Sequence, residues 1–152
     1  MAGSIPFRAL QWQGRAMNDS YPANTEGHSA SAFKRPRVLL VEDDFLIRLT
    51  LAEILGDEGY EVLEAATGDE ALAALAGQDG FQAMLTDVNI PGSINGTGVG
   101  KFARSRFPDL PIIYMTGRAD LLQHLAPSMR DRVVAKPYLP SEIAAVLREV
   151  VR

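Results

Sequence analysis

Short runs of apolar residues alternate along most of the chain with longer amphipathic segments. The first run, Val38-Leu39-Leu40-Val41, is continuous, which is typical of a strand buried on both faces of a sheet. Four further segments, 61–65, 81–86, 111–115 and 133–135, also read as strands. The pattern therefore predicts five β-strands.

Segments with helical periodicity follow these strands. Asp44 is placed to cap a helix that runs to about Glu58, where apolar residues recur with helical spacing and Gly59 stops the helix. Further helices are predicted at 69–76, at roughly 97–107 and at about 119–125, and a last helix contains apolar residues with helical spacing between 143 and 151. Strands that alternate with helices in this way predict a (βα)5 fold, a doubly wound parallel five-stranded sheet of flavodoxin-like topology covered on both faces.

Length and composition set the domain organisation. A chain of 152 residues fits one domain plus some extra chain, at roughly 100–200 residues per domain. Residues 1–35 are rich in small and polar residues and lack periodicity, which predicts a flexible N-terminal extension. Residues 36–152 form the predicted folded domain, and we expect no second domain after it.

Several classes of protein are excluded by what the sequence lacks. There is no cysteine, so disulfide frameworks, thiolate metal sites and cysteine nucleophiles are excluded. No apolar run approaches the ~20 residues that cross a bilayer, and the N-terminus has no signal-peptide pattern. We therefore expect a cytoplasmic protein without membrane contact.

The charge is spread unevenly. Residues 1–36 carry 4 basic and 2 acidic side chains, whereas residues 37–152 carry 11 basic and 17 acidic ones. A folded domain with this acidic excess repels phosphate backbones, so we expect no direct contact with nucleic acid.

Polar residues stand where four of the five predicted strands end. Glu42 and Asp43 follow the first strand, Asp87 ends the third, and Thr116 and Lys136 follow the fourth and fifth. Ligands of open parallel sheets bind beyond the carboxyl ends of the strands, so these side chains are expected to line one edge.

The chemistry of this set points to phosphoryl transfer. Carboxylates held close together repel one another unless a cation neutralises them, and oxygen ligands without histidine or cysteine suit Mg²⁺. Thr116 and Lys136 supply the hydroxyl and the ammonium that bind the other oxygens of a tetrahedral anion. A carboxylate also acts as a nucleophile that forms an acyl phosphate.

Each residue taken alone has a simpler structural explanation. Asp43 or Asp44 can serve only as a helix cap, Asp87 can simply end a strand, and the residues around Thr116 and Lys136 can be ordinary turns. Five such residues at the same ends of four strands are hard to obtain by chance. The joint pattern therefore favours a phosphoryl-transfer site.

Residues 37–152 resemble the receiver domain of two-component response regulators. The resemblance rests on four stretches of the sequence: Val38-Leu39-Leu40-Val41-Glu42-Asp43-Asp44, Thr86-Asp87-Val88-Asn89-Ile90-Pro91, Met115-Thr116-Gly117 and Ala135-Lys136-Pro137-Tyr138. It covers the whole predicted domain. It implies a phosphoacceptor that takes its phosphoryl group from a sensor histidine kinase or a histidine phosphotransfer protein and signals to a downstream protein target.

The resemblance also implies a role for each site residue. Asp87 matches the phosphoacceptor, and Asp43 and Glu42 match the acidic pair, with Asp43 a direct Mg²⁺ ligand and Glu42 acting through water. Asn89 matches the position whose backbone carbonyl binds the metal. Thr116 matches the switch hydroxyl, and Lys136 matches the phosphate-binding lysine, followed by a cis peptide bond to proline. No catalysis is expected beyond self-phosphorylation and self-dephosphorylation.

The sequence departs from the family pattern in two places. Receivers usually carry Tyr or Phe three residues before the lysine, and here that position is Val133, so Tyr114 and Tyr138 become candidates for a substitute switch. The loop at 92–96 is one residue longer than usual, and Gly96, Gly98 and Gly100 weaken the helix after it. We expect this region to be mobile or rearranged.

Other functions stay open at this point. A phosphate sink or relay intermediate would need no conformational output, and the loss of an aromatic residue at 133 mildly favours that role. A nucleotide-binding or flavin-binding protein would share the architecture. However, residues 95–102 lack both the first glycine and the Ser or Thr of a phosphate-binding loop, and acidic residues occupy the place after the first strand where a flavin carrier has its phosphate loop.

Overall fold

The computed structural model describes residues 34–118, 120 and 128–151. The strands are β1 (Arg37–Val41), β2 (Glu61–Ala65), β3 (Phe81–Asp87), β4 (Ile112–Thr116) and β5 (Arg132–Ala135). The helices in the described part are α1 (Phe45–Asp57), α2 (Gly68–Gly77), α3 (Gly96–Arg106) and α4 (Pro140–Val150). The predicted helix at 119–125 lies outside the described residues except for Asp120, as does nearly all of the predicted extension.

All five strands pair in parallel in the order β2-β1-β3-β4-β5. This is the doubly wound, flavodoxin-like order that the alternation of strands and helices predicts. The order reverses at β1, because the chain crosses first to β2 on one side and then to β3 on the other. The carboxyl ends of β1 and β3 therefore lie side by side at the point where a ligand is expected.

The sheet separates two apolar layers, because successive side chains of each strand point to opposite faces. In β1, Leu39 and Val41 belong to one cluster, while Val38 and Leu40 belong to the other. The first cluster packs under α2 and α3, and the second packs under α1 and α4. Burial on both faces explains why the central strands β1 and β4 appear in the sequence as continuous apolar runs.

Local signals set the bounds of α1. The Oδ1 atom of Asp44 accepts a hydrogen bond from the amide of Ile47 at 3.0 Å, which confirms the predicted cap. Gly59, just beyond the helix, has a φ of 105°, a conformation that favours glycine. The cap fixes where the chain turns from β1 into α1 and so positions Glu42 and Asp43 at the end of the strand.

No helix among the described residues has the length and the apolar character needed to span a membrane.

Candidate functional site

Three carboxylates meet at the carboxyl ends of β1 and β3. Glu42, Asp43 and Asp87 each present an oxygen, and these oxygens all lie within 4.8 Å of one another. Glu42 and Asp87 are buried, with 1% and 5% of their surfaces exposed, whereas Asp43 is open to solvent. The expected convergence of these three side chains is therefore what the structure shows.

Lys136 supplies the positive charge of the site. Its Nζ atom lies 2.6 Å from Oδ2 of Asp87. Oδ1 of the same carboxylate accepts a hydrogen bond from the amide of Asn89 at 3.1 Å. Both oxygens of Asp87 thus have a donor, and the side chain is held at one orientation between β5 and the loop after β3.

Thr116 closes β4 next to this carboxylate. Asp87 pairs with Met115 in the ladder between β3 and β4, so Thr116 lies one residue further along the same edge. Thr116 is buried, and its Oγ1 accepts a hydrogen bond from the amide of Arg118 at 3.0 Å. The amide of Lys136 donates to the carbonyl of Thr116 at 2.8 Å, which ties the threonine and the lysine together.

Lys136 is followed by the cis peptide bond to Pro137 that the resemblance implied. Asn89 is exposed, and its backbone amide donates a hydrogen bond to the carboxylate of Asp87. The metal-binding role of its carbonyl stays a prediction.

The buried position of Glu42 gives it unusual acid–base behaviour. Burial, with a smaller contribution from the negative charge of Asp87, raises its pKa to about 7, although the hydrogen bond from the amide of Asp44 and the charge of Lys136 act to lower it. That amide donates to Oε1 at 3.0 Å. The other oxygen, Oε2, is buried and has no hydrogen-bond partner among the described residues.

These observations fit a hard divalent cation. A buried carboxylate oxygen without a donor is costly unless a cation or water satisfies it. Oxygens of Asp43 and Asp87 lie within 4.8 Å of one another and of an oxygen of Glu42, and no nitrogen or sulfur ligand competes in the described part of the site. Oxygen-only ligation with few carboxylates is the preference of Mg²⁺.

Arg48 is a residue of this site that the sequence did not single out. Its Nη1 donates to the carbonyl of Glu42 at 2.8 Å, and its Nε lies 3.3 Å from Oε1 of Glu64 on β2. The guanidinium therefore holds the end of β1, where the acidic pair begins. The available signal was its position on α1, four residues after the cap at Asp44.

The glycine-rich stretch at 95–102 lies at the start of α3 and follows a loop, not a strand. Asn95 caps this helix by accepting a hydrogen bond from the amide of Gly98 at 3.0 Å. The arrangement lacks the strand that leads directly into a dinucleotide or nucleotide phosphate loop. The stretch is therefore not placed as the phosphate loop of a nucleotide-binding or dinucleotide-binding protein.

Comparison with known proteins agrees with the geometry. Residues 38–148 match the family described as the response regulator receiver domain. The transcriptional regulatory protein AruR of Pseudomonas aeruginosa is 36% identical over 124 residues, which cover 77% of this chain and 50% of that protein. The response regulator MprA of Mycolicibacterium vanbaalenii is 34% identical over 118 residues, which cover 76% of this chain and 50% of that protein.

Solved structures show the same likeness. The chemotaxis protein CheY4 of Vibrio cholerae superposes with a TM-score of 0.68 at 30% identity, covering 78% of this chain and 100% of that one. The response regulator TrrA of Thermotoga maritima, solved in complex with Mg²⁺-BeF, gives a TM-score of 0.69 at 29% identity and covers 76% and 99%.

The chain therefore belongs to the response regulator receiver domain family. Receiver domains accept a phosphoryl group in two-component signalling, bind Mg²⁺ at their acidic site, and interact with histidine kinases and downstream targets. The chain spans about half the length of the curated relatives named above.

Proposed function

We propose that Asp87 is the phosphoacceptor of this receiver and that it takes its phosphoryl group from a phosphohistidine. The observation that carries the proposal is the position of its buried carboxylate, 2.6 Å from the ammonium of Lys136 and beside Glu42 and Asp43. A carboxylate oxygen of Asp87 attacks phosphorus, the phosphorus–nitrogen bond of the donor breaks, and the imidazole leaves. The product is an acyl phosphate on the aspartate.

The acidic residues around Asp87 would bind the metal ion, and the basic residue Lys136 would bind the phosphoryl group. Asp43 and Asp87 would hold Mg²⁺ directly, Glu42 would hold it through water, and the carbonyl of Asn89 would add a neutral ligand. When bound, the ion neutralises phosphoryl oxygens. Lys136 exchanges its contact with Oδ2 of Asp87 for one with a phosphoryl oxygen.

The buried hydroxyl of Thr116 would bind another phosphoryl oxygen. It now accepts a hydrogen bond from the amide of Arg118 and retains its own proton for donation. Catalysis in this proposal is limited to attachment and hydrolysis of the phosphoryl group on the protein itself.

The partner that delivers the phosphoryl group would dock beside α1. An apolar groove of about 580 Å³ runs between the start of α1 and the chain after β5. It is lined by Leu46, Ile47, Thr50, Leu51, Lys136, Pro137, Tyr138 and Pro140. Because Lys136 both lines the groove and contacts Asp87, a helix seated there reaches the acceptor with its phosphohistidine.

Exposed apolar side chains support this docking face. Phe45 and Leu46 have 63% and 68% of their surfaces exposed at the start of α1, and Leu139 has 64%. Leu46→Ser should slow transfer from a phosphohistidine-bearing kinase that phosphorylates the wild type, while transfer from acetyl phosphate is unchanged. Met129→Ser is the matched control, because Met129 is 97% exposed and precedes the amino end of β5, away from the groove.

We further propose that the phosphorylated receiver signals by contact with a downstream protein. A phosphate sink without conformational output is the second candidate, and Val133 favours it, because a partly buried valine packed against the core replaces the usual aromatic switch. Binding of Mg²⁺ and beryllofluoride, a phosphoryl mimic, distinguishes the two roles. Signalling requires that the mimic changes the affinity for the target, whereas a sink shows no change.

Two finer expectations remain predictions. The first is that this receiver acts without an attached output domain, although its curated relatives are about twice as long as the matched part. Intact mass of the native protein tests it. The second is that the chain does not contact nucleic acid directly, which a titration with duplex DNA at low salt tests.

The proposed chemistry is tested by incubation with Mg²⁺ and acetyl phosphate, followed by intact mass spectrometry. The wild type should gain one phosphoryl group, and chelation of the metal should abolish the gain. Asp87→Asn should gain none, while Asp69→Asn, an exposed carboxylate on α2, is the matched control and should behave as the wild type.

A further inference from the structure

The first turns of α3 contact three different parts of the protein through three glycines. Gly96 lies against the carbonyl of Asp87, so close that a Cβ atom there would overlap it. A Cβ on Gly98 would lie 2.7 Å from Cγ1 of Ile94, and one on Gly100 would overlap the hydroxyl of Tyr114. Any larger residue at these positions would force its neighbour to move.

The loop before α3 is anchored to α2. Ile94 packs against the backbone of Gly68, where a Cβ would overlap it, and against Gly98 on the other side. Ser93 donates through its hydroxyl to the carboxylate of Asp69 at 3.2 Å. Ile94 and Ser93 therefore link the loop to α2, and Ile94 also links it to α3.

The same segment is attached to the acceptor strand. The amide of Gly96 donates to the carbonyl of Val88 at 2.9 Å, directly after Asp87. A displacement of the backbone at the end of β3 therefore acts on the first residue of α3 without an intervening side chain.

Strand β4 reaches α3 through Tyr114. This buried ring belongs to the apolar layer under α2 and α3, and its hydroxyl rests on Gly100. Tyr114 precedes Thr116 by two residues and pairs with Val133 in the β4–β5 ladder. Because residue 133 is a valine and residue 114 a tyrosine, the aromatic ring of this strand pair belongs to Tyr114 and lies next to α3.

Glycine also makes the start of α3 easy to deform. Each glycine in a helix shifts the local opening equilibrium by about fivefold relative to alanine. Three of them in five residues leave this turn held mainly by its contacts with Asp87, Ile94 and Tyr114. Segments of low local stability are those that rearrange in switching proteins.

We propose that this glycine segment, residues 92–100, carries the phosphorylation signal from Asp87 to the surface formed by α2 and α3. The inference rests on the proposed function of Asp87 as phosphoacceptor. Capture of the phosphoryl group shifts the end of β3 and the hydroxyl of Thr116. Gly96 and Tyr114 pass these shifts to the first turns of α3, and Ile94 passes them to α2.

Hydrogen exchange of the full chain, with and without Mg²⁺ and beryllofluoride, tests the proposal. We expect amide exchange within residues 92–100 to change by about fivefold or more, the equivalent of one glycine-to-alanine step in helix stability. A response confined to residues 133–138, with 92–100 unchanged, would overturn the proposal.

Intact mass after acetyl phosphate treatment distinguishes failure of the proposed role of Asp87 from failure of the proposed role of the glycine segment. If the protein gains one phosphoryl group and the glycine segment shows no exchange response, the role of the glycine segment is contradicted and the role of Asp87 is not. If the protein gains no phosphoryl group, both proposals are contradicted.

Two variants and one control test the route of the signal. Ile94→Ala removes the side chain between Gly68 and Gly98, and Gly98→Ala stiffens the helix start, so both should shrink the exchange response while the gain in mass persists. Gly77→Ala makes the same glycine change on α2, where a Cβ would contact nothing within 4 Å, and should preserve the response. The proposal is contradicted if the exchange response is undiminished in both Ile94→Ala and Gly98→Ala. It is also contradicted if Gly77→Ala loses the response to the same extent as these two variants.

Discussion

The ammonium of Lys136 lies 2.6 Å from Oδ2 of Asp87, so the cation of the site rests on the carboxylate proposed to accept the phosphoryl group. Both groups come from strand ends that are 49 residues apart in the chain. The lysine therefore competes with Mg²⁺ for the acceptor before phosphorylation and helps to bind the phosphoryl group afterwards. Removal of the lysine should therefore raise the affinity for Mg²⁺ and lower the rate of phosphorylation.

Lys136→Met should tighten Mg²⁺ binding while it slows phosphorylation. Loss of one positive charge near the carboxylates should lower the dissociation constant of Mg²⁺ at least about fivefold, since unit charges about 4 Å apart interact by about 1 kcal/mol even in bulk water. The phosphorylation rate with acetyl phosphate should fall at least about tenfold, because a phosphoryl oxygen loses its donor. Calorimetry and intact mass measure the two effects, and Lys101→Met, an exposed lysine on α3, is the control. Weaker Mg²⁺ binding in Lys136→Met would contradict this account of the site.

Mg²⁺ affinity should rise with pH through about 7, because Glu42 must lose its proton to face a cation. Burial and the charge of Asp87 together raise the pKa of Glu42 to about 7. Binding should therefore release a proton near pH 6.5, which calorimetry in buffers of different ionisation enthalpy detects. Glu42→Gln should bind Mg²⁺ more weakly and release no proton at this pH.

The ionisation of Glu42 should also affect the stability of the metal-free protein, which should fall as pH rises. In the unfolded chain Glu42 ionises near its ordinary value of 4.5, while in the fold it keeps its proton to about 7. The free energy of unfolding should therefore fall as pH rises from about 5 to 7, by an amount on the order of 2 kcal/mol. Urea denaturation in the presence of a chelator measures the slope, which should flatten in Glu42→Gln.

Tyr138→Phe should leave the fold as stable as before or more stable. The hydroxyl of Tyr138 is buried without a hydrogen-bond partner among the described residues, and burial raises the pKa of the phenol to about 12. Removal of an unsatisfied hydroxyl should raise the free energy of unfolding by up to about 1 kcal/mol. Tyr138→Ala should lower it by about 3 kcal/mol through lost packing. A large loss in Tyr138→Phe would mean that the hydroxyl has a partner.

Gly96→Ala should destabilise the protein in spite of the higher helix propensity of alanine. The new methyl group would overlap the carbonyl of Asp87, so strand or helix must shift at a cost of about 2 kcal/mol or more. Gly77→Ala, with open space around the new methyl group, should instead stabilise the protein by up to about 1 kcal/mol. Equal urea midpoints for the two variants would contradict the close approach of α3 to the acceptor strand.

Most of the fold follows from the sequence because the central strands β1, β3 and β4 are largely buried on both faces. Segments rich in apolar residues located all five strands within one residue of their ends, and Asp44 and Gly59 marked both ends of α1. The convergence of Glu42, Asp43 and Asp87 followed from a rule about parallel sheets, which needs only the strand ends. These features depend on local pattern and on topology alone.

The glycines of α3 show what the sequence could not provide. Helix propensity predicts that Gly96, Gly98 and Gly100 weaken the helix, but it does not predict their close contacts with Asp87, Ile94 and Tyr114, which depend on tertiary packing. Arg48 was missed for the same reason, because its partners lie at the ends of two strands. Contacts between distant segments leave no periodic signal in the chain.

The central claim is that Asp87 carries the phosphoryl group, and its most direct test is the position of the modified residue. Protein treated with Mg²⁺ and acetyl phosphate is reduced with borohydride, which converts an aspartyl phosphate to homoserine, and the peptides are then sequenced by mass spectrometry. We predict homoserine at position 87 alone and only when Mg²⁺ is present. Homoserine at 43 or 44 with none at 87, or its formation independently of the metal, would contradict the account.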